Sequence, residues 1–599
     1  MMRVVHVMMA LLVVLAGVVI WKQARPPVGE EALSPVLTPE TPTVSKSAGP
    51  VPPTLPTPQD ALAPIAAELH LSRNRDDART TPAYRALAEA ASAATANASQ
   101  SSIVQMANAL PLGRPAVVDR EGYPEAEDNP VRRPAEDPVS TFSIDVDTAS
   151  YANVRRQLNQ GRLPRHESVR AEEIVNYFDY AYPMPEADEP FAVYTEIGPS
   201  PWHAQRRLLH IGIQGAVRSA AELPPANLVF LVDVSGSMQS PDKLDLLKAS
   251  LRLLVGQLRP QDTVSMVVYA GAAGVVLEPT AGDQRATILG ALNQLQAGGS
   301  TNGGEGIELA YALAEQHLVE DGVNRVILAT DGDFNVGTVD HDALEELIER
   351  KREAGVALTV LGFGRGNYQD GLMQRLAQKG NGNAAYVDTL NEARKVLVDE
   401  LAATLEIIAQ DVKIQVEFNP AVVAEYRLIG YENRQLARED FNNDRVDAGD
   451  IGAGHTVTAL YELALVGEGG AQVDPLRYAA RNERGRFLGR PVTDEIAHLR
   501  LRYKRPGEAS SELIERPLLH SALRDRLADT SEDFRFSAAT AAYAQLLSGA
   551  RYTGEMKLVD VLTLAREARG ADPFGYRGEF LTLVASADAL SSVQQTTGR

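Results

Sequence analysis

The stretch NLVFLVDVSGSMQ at residues 227–239 decides how this chain is read. A largely apolar run, Asn227–Val232, meets Asp233 and then a turn carrying Ser235 and Ser237. A short apolar run ending in a Gly-containing turn predicts a strand buried on both faces and a loop at its carboxyl end. The same pattern returns at 325–337, RVILATDGDFNVG, where the run Arg325–Thr330 leads into Asp331. Between them, GGSTNGG at 298–304 presents Thr301 among glycines. Asp233, Ser235, Ser237, Thr301 and Asp331 offer only oxygen, the donor set of a hard divalent cation.

Working outward, residues 225–405 alternate strand and helix patterns. Strands are expected at Asn227–Val232, Thr263–Tyr269, Gly274–Glu278, Arg325–Thr330, Ala357–Gly362 and Ala384–Val387. Helices are expected at Lys243–Leu258, Gln284–Leu295, Gly304–Leu318, His341–Ala354, Gly371–Gln378 and Glu392–Leu405. Apolar strands alternating with amphipathic helices imply a doubly wound, mostly parallel sheet covered on both faces. Ligands of such sheets lie beyond the carboxyl ends of the strands, where Asp233 and Asp331 fall.

The flanks differ. STFSIDVDTASY at 140–151 suggests a strand and turn, and Tyr151–Leu158 and Ser168–Tyr180 read as helices. Phe191–Ile197, Arg207–Ile213, Val412–Phe418, Tyr426–Ile429, Val457–Leu465 and His498–Tyr503 read as strands. An economical arrangement inserts the α/β unit into a β-sandwich whose strands come from 190–215 and 411–505. Ser531–Leu547, Lys557–Ala565 and Glu579–Leu590 read as helices.

The first residues carry a targeting pattern. Arg3 precedes an apolar run from Val4 to Trp21, interrupted only by His6. A spanning helix needs roughly 17 to 25 residues, and the run is read as an uncleaved anchor rather than a cleaved signal. From Pro26 to about Pro64 the chain turns rich in Pro, Thr, Ser and Glu, a composition that forms extended spacers. An Ala-rich polar stretch follows to about residue 135, with a short helix suggested at Tyr84–Ala96. The expected organisation is therefore an anchor at 1–25, a largely disordered linker at 26–137, a flanking domain at 138–224, the α/β domain at 225–405, a β-rich flanking domain at 406–510 and a helical region at 511–599.

Bulk properties exclude several classes. A chain of 599 residues is too long for one core. The net charge of −21, with no basic stripe, argues against a nucleic-acid partner. Cysteine is absent, which removes disulfides, thiolate metal sites, a cysteine nucleophile and a lipid-bearing cysteine. No GxxxxGK[ST] or HExxH occurs, and no GxSxG surrounds Ser235 or Ser237. GFGRGN at 362–367 has Asn367 where a dinucleotide fingerprint needs its third glycine, so it reads as a strand-end turn. Asp145 and Asp147 read as a solvated turn, with a second cation as the alternative, and Glu305 and Asp333 as helix caps or groups behind the metal ligands.

Hydroxyl ligands leave a Mg2+ ion most of its charge and a position for an outside carboxylate. Asp233 and Asp331 can act directly or through water. Mn2+ and Ca2+ are alternatives of the same hard class. The order DxSxS, Gly-flanked Thr, TDG resembles the metal-ion-dependent adhesion site of von Willebrand factor type A domains. STFSIDVDTASYANVRR at 140–156, EEIVNYFDYAYPMP at 172–185, DVKIQVEFNPAVVAEYRLIGYENR at 411–434 and DAGDIGAGHTVTALYEL at 447–463 resemble the bacterial YfbK-type family, a resemblance spanning roughly 138–590. It implies an envelope protein without catalytic activity, its folded part outside the cytoplasm. It also implies that Ser235, Ser237 and Thr301 are direct ligands, with Asp233 and Asp331 mostly water-mediated. Family members often look like lipoproteins; here Val18 stands where the lipid-bearing cysteine would be. The expectation is a membrane-tethered protein that binds a partner's Asp or Glu through the cation. The competing expectations are a subunit working with an ATPase and, further off, a metal-dependent hydrolase.

Overall fold

The computed structural model describes residues 121–123, 127–186, 188–219, 221–332, 341–474 and 494–597. The expected anchor at 1–25, the linker up to residue 120 with its Tyr84–Ala96 helix, and Asp333 lie outside the described residues.

The chain begins with β1 (Val139–Ser143), α1 (Ala149–Asn159), α2 (Ala171–Val175), β2 (Phe191–Pro199) and β3 (Arg207–Gly215). An α/β body follows: β4 (Ala226–Asp233), α3 (Leu246–Val255), β5 (Thr263–Tyr269), β6 (Ala273–Ala281), α4 (Arg285–Gln294), α5 (Gly303–Gln316), β7 (Val323–Thr330), α6 (His341–Glu353), β8 (Ala357–Phe363), α7 (Asp370–Lys379), β9 (Ala384–Val387), α8 (Leu390–Arg394) and α9 (Leu401–Leu405). Then come β10 (Ile407–Phe418), β11 (Val423–Ile429), β12 (Gly449–Gly452), β13 (Thr456–Leu465), β14 (Glu495–Lys504), β15 (Glu512–Leu519), α10 (Glu532–Leu547), α11 (Leu558–Glu567) and α12 (Tyr576–Thr597).

The α/β body holds a sheet in the order β6-β5-β4-β7-β8-β9, parallel except for the edge strand β6. Its central strand β4 shows why the apolar run had to be continuous. Leu228, Phe230 and Val232 enter the core on one face, Val229 and Leu231 the core on the other, following the two-residue period of a strand. From β4 the chain winds outward to β5 on one side and later returns to β7 on the other, so β4 and β7 flank the switch point of the sheet.

The flanking strands build two antiparallel sheets. One runs β1-β10-β14-β15, with β12 on β10; the other runs β11-β13-β3-β2. Both contribute to one shared core that includes Phe142, Ile211, Ile414, Tyr461 and Leu499, which is the packing of a sandwich. The outer face of the second sheet, through Leu208, Ile429 and Leu460, meets α10, α11 and α12 and the Tyr151–Tyr182 segment in another core. The α/β body is thus inserted between β3 and β10.

Two expected helices change. Of the helix expected over 168–180 only α2 forms, preceded by a 3-10 turn at His166–Ser168. The expected helix over 392–405 is interrupted by a π turn, Lys395–Asp399, between α8 and α9. The segments β12 and β15 were not anticipated.

Candidate metal centre

Asp233 is the last residue of β4 and is fully buried. Beyond it, the backbone of Val234 still pairs with β5, donating to Tyr269 O at 3.0 Å. The chain then folds back: Ser235 N donates to Asp233 Oδ1 at 2.8 Å, an Asx-type turn. This turn sets Ser235 Oγ 2.9 Å from Ser237 Oγ. Ser235 is buried and Ser237 half-buried.

The loop carrying Thr301 is stitched directly to this turn. Gly236 N donates to Gly299 O at 3.0 Å, and Gly298 N to Val234 O at 2.8 Å. Thr301 is half-buried and lies just before α5. The third loop leaves β7, where Thr330 Oγ1 donates to Asp233 Oδ2 at 3.2 Å and accepts from Gly332 N at 3.2 Å. Gly332 has φ +91, and a Cβ there would come within 2.6 Å of Tyr368 Cα, so only glycine lets this loop pass. Asp331, one residue earlier, is buried. The structure therefore gathers the three loops of the five candidate residues at the switch point.

The two aspartates are held differently. The hydrogen-bond partners of Asp233 are neutral: Ser235 N, Thr330 Oγ1 and Tyr269 OH at 3.3 Å. Burial, helped by the charge of Asp331, pushes its pKa up to about 6, against the lowering by those hydrogen bonds. A cation beside it would favour the ionised form. Asp331 has a charged partner, with Lys243 Nζ 2.6 Å from its Oδ2. Tyr269, Thr330 and Lys243 were not singled out from the sequence. Thr330 was the most findable, since it precedes Asp331 in the TDG turn.

The donor set fits a hard divalent cation: hydroxyls converge beside carboxylates, with no nitrogen or sulfur ligand among the five. The other sequence candidates separate from this cluster. Glu305 is exposed and accepts from Asn302 Nδ2 at 3.2 Å, a contact local to the start of α5. Asp145 and Asp147 do not form a solvated turn. They share Arg434, at 2.7 and 3.2 Å, and the buried Asp147 also accepts from Ala384 N at 3.0 Å. Gly364 and Gly366 in GFGRGN have φ +74 and +92 and form the turn that ends β8. Among the described residues no group of three His, Asp or Glu is arranged to hold a metal.

Residues 403–590 match the family described as uncharacterized protein YfbK, C-terminal. Residues 227–399 match the von Willebrand factor type A domain, and residues 117–210 match a family described as von Willebrand factor. The chain is 47% identical over 480 residues to the uncharacterized protein YfbK of Escherichia coli (strain K12), covering 79% of this chain and 82% of that protein. It is 23% identical over 296 residues to inter-alpha-trypsin inhibitor heavy chain H3 of Mesocricetus auratus, covering 46% of this chain and 32% of that one. Among solved structures, a von Willebrand factor type A protein from Catenulispora acidiphila aligns with 65% of this chain and 89% of its own, at 15% identity and a TM-score of 0.37.

Proposed function

The chain belongs to the YfbK family and carries a von Willebrand factor type A domain at its centre, and from that premise we propose that it is a membrane-tethered envelope protein that binds a protein partner through a divalent cation. The observation that carries this reading is the paired hydroxyls of Ser235 and Ser237 over the buried Asp233, at the switch point of the sheet. Ser235, Ser237 and Thr301 would hold the ion, with Asp233 and Asp331 behind them. When bound, Mg2+, or Mn2+ or Ca2+ in its place, supplies a positive charge open to a carboxylate from an Asp or Glu of the partner.

The protein's own part is orientation. The Asx-type turn aims Ser235, the bonds to Gly299 O and from Gly298 N hold the Thr301 loop against it, and Thr330 fixes Asp233. The two serine hydroxyls bond each other rather than a general base, which favours binding over nucleophilic hydrolysis. The tether rests on the apolar run from Val4 to Trp21. Among the described residues no helix is long and apolar enough to cross a membrane.

The test is recovery of partners by the full chain in Mg2+ and in chelator, beside Asp233→Ala. Partner capture that needs both the ion and Asp233 supports the reading; capture unchanged in chelator overturns it. Protease treatment of intact cells separates this from a subunit working with a cytoplasmic ATPase, because an extracytoplasmic body is cleaved and a cytoplasmic one is not.

A further inference from the structure

Lys243 stands in the one-turn segment Pro241–Asp245 that follows the serine loop. Its side chain is 8% exposed and ends 2.6 Å from Asp331 Oδ2. To get there the stem crosses the turn after β8. A Cβ on Gly364 would collide with the Cγ, Cδ and Cε of Lys243, and Gly364 sits at φ +74. That glycine is therefore required twice, for its backbone conformation and for the passage of the lysine. Tyr386 OH pins the same turn by donating to Gly364 O at 2.5 Å, and Arg365 reaches back to Asp242 at 3.1 Å. The ammonium is thus delivered to Asp331 along a built channel.

We propose that Lys243 is a fixed internal counter-ion of the cation site, which shares Asp331 with any divalent ion held there and so sets a ceiling on its affinity. This rests on the cation reading above and deepens it. The two aspartates bring two negative charges, and Lys243 cancels one. A buried like charge held on Asp331 opposes binding of a divalent ion there more than an exposed lysine would. An ion held with spare charge and modest affinity gains most from an added carboxylate, so the lysine also makes the partner's acid matter more.

The experiment is Mg2+ and Mn2+ titration of the full chain by calorimetry, with thermal melting in chelator alongside. Lys243→Met keeps the apolar stem and removes the charge; Lys243→Arg keeps the charge; Gly364→Ala drives the stem aside with its charge intact. The expected result is opposite signs for Lys243→Met: lower stability in chelator, because Asp331 loses a buried charged partner, and ion binding about tenfold tighter or more. Gly364→Ala tightens binding in the same direction, and Lys243→Arg stays near the wild type. A purely structural lysine lowers stability and affinity together, and ion affinity unchanged or weaker in both Lys243→Met and Gly364→Ala overturns the proposal. Absence of ion binding in the wild type and every variant overturns the cation reading itself.

Discussion

Buried charge is used in opposite ways in two regions of this molecule. Where α1, the end of β9 and α12 meet, Arg155 is 1% exposed and lies among Asp388, Glu392 and Glu579, with Tyr177 OH also at 3.0 Å. In the sandwich, buried Arg206 reaches Glu425 at 2.6 Å and Glu462 at 3.3 Å. Each charge there meets opposite charges, and the ion pairs tie together segments far apart in sequence. At the switch point, Asp233 is equally buried but meets only neutral donors. Buried ion pairs tie distant elements together, whereas the switch point holds a buried carboxylate with neutral donors beside two hydroxyls that bond each other.

The largest expected effect breaks the first region. Arg155→Ala strands buried Asp388 and Glu392, and chemical denaturation should show a loss of about 3–5 kcal/mol, with Mg2+ affinity unchanged. A loss below about 1 kcal/mol would mean that the cluster is not a lock. Next, Asp233→Ala should weaken Mg2+ binding on the order of a hundredfold, while stability in chelator stays level or rises, because a buried carboxylate with neutral partners is removed. A fall in stability matching that of Arg155→Ala would erase the contrast between the regions.

A third test concerns a neutral buried group of the flanking body. His210 is fully buried between β3 and α10, its ring 2.6 Å from Tyr182 OH. Burial holds its pKa down to about 3, below the ordinary 6.5. The unfolded chain therefore binds a proton that the fold refuses. The stabilising contribution of neutral His210 is complete above pH 6.5 and is lost as pH falls from 6.5 toward 3. The unfolding free energy of the wild type should fall by about 2 kcal/mol between pH 7 and pH 5 relative to His210→Gln; parallel profiles would contradict the assignment. The smallest effect sharpens the ligand set. Ser237→Ala removes one neutral hydroxyl, and calorimetry should show Mg2+ binding weakened about tenfold with the melting temperature in chelator unmoved.

The α/β core was legible because its information is local. β4 carries the apolar run Leu228–Val232 and β7 the run Val326–Ala329, and four of the five ligand candidates lie within a few residues of their ends. Elements whose reason lies elsewhere were not. β15 is mostly exposed, ELIERPLL at 512–519 with Pro517, and it exists because β14 offers an edge. β12 is short, begins with Gly449 and ends with Gly452. The break between α8 and α9 places Lys395 on Glu400, a pairing that no helical periodicity announces. Asp147 looked solvated because Arg434, which buries it, comes from the far side of the α/β body. Lys243 was hidden for the same reason: its partner Asp331 and the glycine that admits it lie in loops after other strands.

The most direct measurement is a crystal structure of the full chain grown with Mg2+ and soaked in acetate, a stand-in for a partner's carboxylate. The predicted result is one ion touching the hydroxyl oxygens of Ser235, Ser237 and Thr301 at about 2.1 Å, with an acetate oxygen completing its shell. An ion bound only by water and carboxylates away from those hydroxyls, or no ion at saturating Mg2+, would contradict the account.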